Sequence, residues 1–129
     1  MTATTASDLL LVDSSGWLEY ITADTKADAV APYLEGSRQI LVPTIVLYEV
    51  YKRLTQMRGR NEAERFASHA LRQLIVDLNE DLAFAAAKIS LLHRLAMADA
   101  IIYATALAHH AELVTSDQAF SGLPGVTLV

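Results

Sequence analysis

Four carboxylates in this chain stand where a carboxylate needs a reason to be. Asp99 lies near the start of Leu95–Ala108, a run of good helix formers, without Gly or Pro, that is apolar on nearly every side. A helix of that kind is buried, and a buried Asp is paired or holds a metal. The run is too short to span a bilayer, so a protein core is its natural place. Asp13, Glu49 and Asp117 each adjoin a short apolar segment of the kind that forms a buried parallel strand, near the point where that strand ends.

Each acid also has an ordinary explanation. Asp99 can answer the dipole of its helix, worth about 0.3–1 kcal/mol. Asp13 can cap the helix that follows it, and Glu49 can pair with Lys52 or Arg53 one turn on. If instead the four converge, they repel one another, and desolvation raises the cost of ionising each. Something positive must then occupy the centre. The chain has no Cys, and His69, His93, His109 and His110 lack metal-ligand spacing. An all-oxygen donor set selects a hard ion, Mg²⁺ or Mn²⁺.

An acidic, water-rich site of this kind, without a Gly-rich phosphate cradle, suits hydrolysis of a phosphodiester. One ion lowers the pKa of an attacking water, and a second, where present, stabilises the leaving oxygen. A polynucleotide is itself an anion and needs a basic rim. Six of the ten basic residues, Lys52, Arg53, Arg58, Arg60, Arg65 and Arg72, fall in one helical region. They are either that rim, a partner surface or simply a solvated helix face. The net charge of -5 argues against a general basic nucleic-acid binder but describes only the average field.

The elements that must position these residues alternate. Strands are expected at Leu9–Asp13, Gln39–Pro43, Ile75–Leu78, Glu112–Thr115 and Val126–Val129. Between them, the turn Asp13–Gly16 leads into a helical segment over Trp17–Ile21, and Asp24–Gly36 reads as a surface helix. Thr44 is expected to cap a helix through Ile45–Tyr51. After a turn at Met57–Asn61, Glu62–Leu74 follows with Ala63, Phe66, Ala67, Ala70, Leu71 and Leu74 inward. Asn79, Glu80 and Asp81 cap a helix that carries Leu82, Ala85, Ala86, Ile89 and Leu92 toward the core. Asp77 reads as a structural turn residue. The alternation predicts one α/β domain over residues 1–129 with a mostly parallel sheet, and ligands bind beyond the carboxyl ends of such strands.

At 129 residues, 53% of them hydrophobic, the chain can bury a real core. The lack of Cys fits a reducing compartment, and the first residues lack the charged start and apolar stretch of a signal peptide. The expectation is a soluble cytoplasmic protein without membrane contact.

The segments Leu9-Leu-Leu-Val-Asp13-Ser-Ser15, Val42-Pro-Thr-Ile-Val-Leu-Tyr-Glu49-Val50, Leu95-Ala-Met-Ala-Asp99-Ala-Ile-Ile-Tyr-Ala-Thr-Ala106 and Leu113-Val-Thr115-Ser-Asp117-Gln-Ala-Phe120 resemble, in order and spacing, the motifs of PIN-domain ribonucleases. The length looks most like the VapC toxins of bacterial and archaeal type II toxin-antitoxin systems. The resemblance covers essentially the whole chain. It implies a PIN-like three-layer α/β/α sandwich with a five-stranded sheet, homodimers, endonucleolytic cleavage of RNA with Mg²⁺, and neutralisation by a cognate VapB-type antitoxin. Asp13 and Asp99 match the aspartates most regularly assigned to the metal, Glu49 and Asp117 complete the acidic quartet, and Thr115 matches a hydroxyl residue that orients the site. Members often have Ser where this chain has Ala96, a helix cap worth about 1 kcal/mol and not a ligand.

Two other readings remain. A receiver-like signalling domain also gathers acids at strand ends, but it would pair acids after the first strand, where Asp13 is followed by Ser14, and place a Lys after the last. A catalytically silent PIN-like domain would bind RNA or protein without cutting, and the intact quartet speaks against it.

Overall fold

The computed structural model describes residues 8–129; the N-terminal residues read above for a leader lie outside the described residues. The apolar runs form five strands: β1 (Leu9–Val12), β2 (Gln39–Pro43), β3 (Leu74–Val76), β4 (Glu112–Thr115) and β5 (Val126–Leu128). All pair in parallel, in the order β3-β2-β1-β4-β5. Leu10, Leu11 and Val12 of the central strand have no solvent exposure, as a parallel strand covered on both faces requires.

Chain order reverses beside β1. The chain steps outward from β1 to β2 and β3, then crosses back so that β4 pairs β1 on its free side, with Leu11 opposite Leu113 and Val12 opposite Val114. The carboxyl ends of β1 and β4 therefore flank the switch point, where open α/β sheets bind ligands. Helices α1 (Ser14–Ile21), α2 (Ala27–Leu34), α3 (Thr44–Arg58) and α4 (Arg60–Ala70) fill the connections between the first three strands. Helices α5 (Glu80–His93) and α6 (Met97–Ala108) fill the crossover to β4. Right-handed crossovers place the first four helices over one face of the sheet and the last two over the other, which gives the expected three layers. The sheet is wholly parallel rather than mostly so.

Helix α6 is buried without interruption from Ala100 to Ala106, as an all-apolar helix must be. Trp17 of α1 packs edge-on against Phe66 of α4, their ring centroids 5.5 Å apart, and joins the two helices in the core. Among the described residues no single helix is long and apolar enough to cross a membrane.

Several boundaries differ from expectation. Helix α4 stops at Ala70 and β3 begins at Leu74, so Leu71 and Leu74, read as inward, are 64% and 38% exposed. The apolar period runs on past the helix end, and periodicity alone does not mark that end. Leu92, also read as inward, is 75% exposed. Helix α2 is shorter than Asp24–Gly36, and α3 runs on to Arg58. Pro43, not Thr44, occupies the N-cap position of α3, because its fixed extended backbone leads straight from β2 into the helix. Gly59, at φ +94°, lets α3 turn sharply into α4.

Candidate acidic site

Asp13 is the residue that follows β1 and also the N-cap of α1. Its backbone N–H donates to Val114 O (3.1 Å), which extends the β1–β4 ladder by one residue. Its side chain is 3% exposed and accepts three hydrogen bonds: from Gly16 N (3.0 Å) and Ser15 Oγ (2.7 Å) on Oδ1, and from Thr115 Oγ1 (2.7 Å) on Oδ2. Burial pushes this carboxyl up from its ordinary value, the three donors pull it back, and the charge of Asp117 adds to the upward push. Helix α1 comes this close to β1 because residue 16 is Gly; a Cβ there would lie 2.5 Å from Val12 Cγ1.

Thr115 sits at the end of β4 and is fully buried. Its hydroxyl donates to Asp13 Oδ2 and accepts from Asp117 N (2.9 Å), so one side chain ties the carboxylate of Asp13 to the backbone of Asp117. Asp117 N-caps a short 3₁₀ turn, Gln118–Phe120, through Ala119 N (2.9 Å). Ser15 Oγ also accepts from Ser116 N (3.3 Å) and Ser116 Oγ (3.0 Å), which closes a band of hydroxyls between the ends of β1 and β4.

Glu49 approaches from α3. Its Oε1 accepts from Ser14 Oγ (2.6 Å) at the start of α1. The pairing with Lys52 or Arg53 weighed from sequence is replaced by this contact, and Lys52 instead lies over the Tyr48 ring at 5.6 Å. Asp99, in the first turn of α6, is half-buried, and among the described residues no hydrogen bond holds it. Burial, and then the charges of Asp117, Asp13 and Glu49 in that order, push its carboxyl up to about 6. All three other acids act on this one, so the four expected residues share one electrostatic site at the switch point. Ala96 occupies the N-cap of α6 without a side-chain bond, as its missing hydroxyl implies.

Among the described residues no three His, Cys, Asp or Glu side chains are grouped tightly enough to hold a metal ion as they stand. The donors present nevertheless suit a hard dication: they are all oxygen, burial and then their mutual repulsion lift Asp99, and Mg²⁺ commonly takes one or two carboxylates and keeps several waters.

The basic residues expected at the rim are divided. Arg58 donates to Thr22 O (3.1 Å) and pairs with Glu62 at 3.7 Å. Arg65 and Arg72 line a shallow cleft of about 510 Å³ along α4 with Asn61, Glu64, Ser68 and His69. Sequence reasoning missed Ser14, Ser15, Gly16 and Ser116. Their signal was present in Asp-Ser-Ser-Gly and Thr-Ser-Asp, hydroxyls placed directly beside acids at strand ends.

The sequence profile of the PIN domain matches residues 10–126, nearly the whole described chain. The chain belongs to the PIN domain family. Solved structures of similar fold include a toxin-antitoxin complex from Klebsiella pneumoniae, 24% identical, with TM-score 0.78 over 92% of this chain and 95% of that one. VapC20 of Mycobacterium tuberculosis, described as a sarcin-ricin loop cleaving toxin, is 18% identical, with TM-score 0.73 over 89% of this chain and 95% of its own. VapBC2 from Rickettsia felis, bound to a promoter DNA fragment, is 18% identical, with TM-score 0.71 over 94% and 97%. At these identities the likeness is one of fold. No curated protein matches the sequence significantly. As a PIN domain, the chain carries its four acids and Thr115 at the carboxyl ends of the central strands and at the starts of α3 and α6.

Proposed function

We propose that this PIN domain is a metal-dependent endoribonuclease that cleaves RNA phosphodiester bonds, and the toxin of a toxin-antitoxin pair of the VapC kind. One observation carries the catalytic part: Asp99, half-buried in the field of Asp117, Asp13 and Glu49, is lifted to about 6, first by burial and then by that field. Such a field is costly to a fold and favourable to a dication. Asp13, Asp99, Glu49 and Asp117 are the residues that would hold Mg²⁺, with Mn²⁺ as a substitute. Once bound, such an ion would lower the pKa of water and offset negative charge on the phosphate.

The chain's own contribution is placement. Three donors on Asp13 leave its carboxylate a single orientation, and Thr115 sets Asp117 relative to it. Ser14 turns Glu49 toward the same edge. Arg65 on α4 and Arg72 just beyond its end supply charge for the RNA backbone.

Complexes of toxin with antitoxin among the similar folds support a cognate VapB-type partner for this chain. We assign it the groove of about 370 Å³ between α3 and α4, lined by Leu47, Tyr48, Tyr51, Phe66, Ala67 and Leu71 with Lys52 at its edge. That groove lies on the helix that also carries Glu49, and its basic edge fits an apolar segment with carboxylates. The reading places the protein in the cytoplasm as a homodimer.

The absence of a ready-made three-carboxylate cage among the described residues favours a silent binding domain as the second reading. Incubation of total cellular RNA with the purified, antitoxin-free protein separates the two. Discrete fragments with Mg²⁺ that vanish with EDTA and in Asp99→Asn are expected. Equal lanes from a folded protein would overturn the nuclease and leave the binding domain.

A further inference from the structure

Helices α1 and α4 enclose a cavity of about 300 Å³ that the acidic site does not use. Its most buried residues are Trp17 and Phe66; Tyr20 walls it from α1, and Glu62, Arg65 and His69 edge it from α4. The ring of His69 stands edge-on to Trp17 at 5.8 Å, and Tyr20 is fixed by donating to Glu35 Oε2 (2.6 Å). Three polar groups here are short of partners. The Trp17 indole N–H is buried and, among the described residues, has no acceptor. Among the same residues, no ion pair or side-chain hydrogen bond occupies the Arg65 guanidinium. The carboxylate of Glu62 faces Arg58 at 3.7 Å, too far for a hydrogen bond.

Aromatic walls beside unpaired donors and an acceptor suit a flat ring with polar atoms on its edge, which in an RNA strand is an unpaired base. Glu62 and Arg65, three residues apart, share a face of α4. A carboxylate only accepts and a guanidinium only donates. Guanine answers both: its N1–H and its amino group lie side by side for the carboxylate, and its O6 and N7 accept from an arginine. Uracil, cytosine and adenine do not present two adjacent donors on that edge. The cavity also adjoins the acidic edge. Trp17 follows Asp13 by four residues, about 6 Å of rise along α1, and its backbone N–H donates to Asp13 O (3.1 Å). On the other side, Arg65 and His69 also line the cleft that reaches Arg72, where a phosphate backbone finds its charge.

We infer that the cavity between α1 and α4 is a base pocket selective for an unpaired guanine of the RNA strand, with Glu62 and Arg65 reading the edge of the base and Trp17 beneath it. The inference rests on the RNA substrate proposed above and names what that substrate presents, but its test needs no cleavage. Trp17 is the one tryptophan of the chain, so its fluorescence reports on the pocket directly. The full chain is titrated in EDTA with a short oligouridylate and with the same oligomer carrying a single guanosine. The guanosine oligomer is expected to change Trp17 emission saturably and to bind at least about tenfold more tightly. Glu62→Gln removes the carboxylate, and Arg65→Lys keeps the charge but not the planar fork; each is expected to bring the two oligomers within about twofold of one another. Arg72→Ala is expected to weaken both oligomers by the same factor, as a phosphate contact does.

Equal affinities for the two oligomers, or a Trp17 emission that neither one moves, would overturn the pocket; if the same protein still cut RNA with Mg²⁺, the functional reading would stand. Guanosine selectivity that survives both Glu62→Gln and Arg65→Lys would overturn it as well, by placing recognition elsewhere on the chain. Selective binding by a protein that cuts no RNA would uphold the pocket and leave the silent binding domain as its owner.

Discussion

The two sides of the acidic edge are built on opposite principles. On the β1–β4 side every polar group has a partner: Asp13 accepts three hydrogen bonds, Thr115 both donates and accepts, and Asp117 caps its own turn. On the helical side Glu49 is held by Ser14, and Asp99 stands in the first turn of α6 with burial and the repulsion of the other acids both set against its charge. One side is a scaffold whose satisfied network stabilises the sheet ends. The other supplies charge that the fold alone does not want. The same residue type, an Asp beside an apolar element, therefore costs little in one place and much in the other.

Neutralising either aspartate should abolish cleavage, with losses of at least about a thousandfold if both reach the ion or substrate. Stability should separate them. In Asp13→Asn the amide cannot accept every bond the carboxylate took, so buried donors lose partners, and the fold should lose about 2–3 kcal/mol in denaturant melts. In Asp99→Asn the cost of burying a charge and the repulsion from the other acids both disappear. The metal-free variant should gain on the order of 1 kcal/mol at neutral pH, well below the full value of the shift because a half-exposed group is screened by solvent. Equal destabilisation of the two variants would erase the distinction.

The pH dependence follows with a definite sign. The folded Asp99 carboxyl titrates near 6 against an ordinary 3.8. Between those values the folded chain holds more protons than the unfolded one, so metal-free stability falls as pH rises through the window. The gap between wild type and Asp99→Asn should vanish below 3.8 and be complete above about 6. A gap that instead grows on acidification would show a stabilising Asp99.

Smaller effects sharpen the same contrast. Thr115→Val removes the donor to Asp13 and leaves Asp117 N without its acceptor, and should cost about 1–3 kcal/mol together with most of the activity. Ser15→Ala removes one of three donors from Asp13 and should reduce the turnover rate about tenfold, with KM for RNA nearly unchanged, since it acts through Asp13. Ala96→Ser supplies the absent cap of α6 and should stabilise the chain by about 0.5–1 kcal/mol without altering cleavage, read as a shift in melting temperature.

The acids were legible because their types contradict their surroundings. Asp99 in an apolar helix and Asp13 after an apolar strand each break a pattern, and parallel-sheet geometry says where such residues meet. Short apolar runs alternating with helices predicted a parallel sheet in which the strands before Asp13 and Asp117 can be neighbours; the full order of the strands came only with the structure. Leu71, Leu74 and Leu92 misled because a helical apolar period extends across the ends of α4 and α5 onto exposed positions. The serines were not read as site residues because a hydroxyl beside an acid has many local uses, and only the register of β1 against β4 brings Ser15 to Ser116.

The most direct test of the central claim is the melting temperature of wild type and Asp99→Asn at neutral pH, each with EDTA and with Mn²⁺. The account predicts that without metal the variant melts higher, and that Mn²⁺ raises the wild type while leaving the variant nearly where it was. A wild type unmoved by Mn²⁺, or a variant raised as much as the wild type, would contradict a metal site built on Asp99.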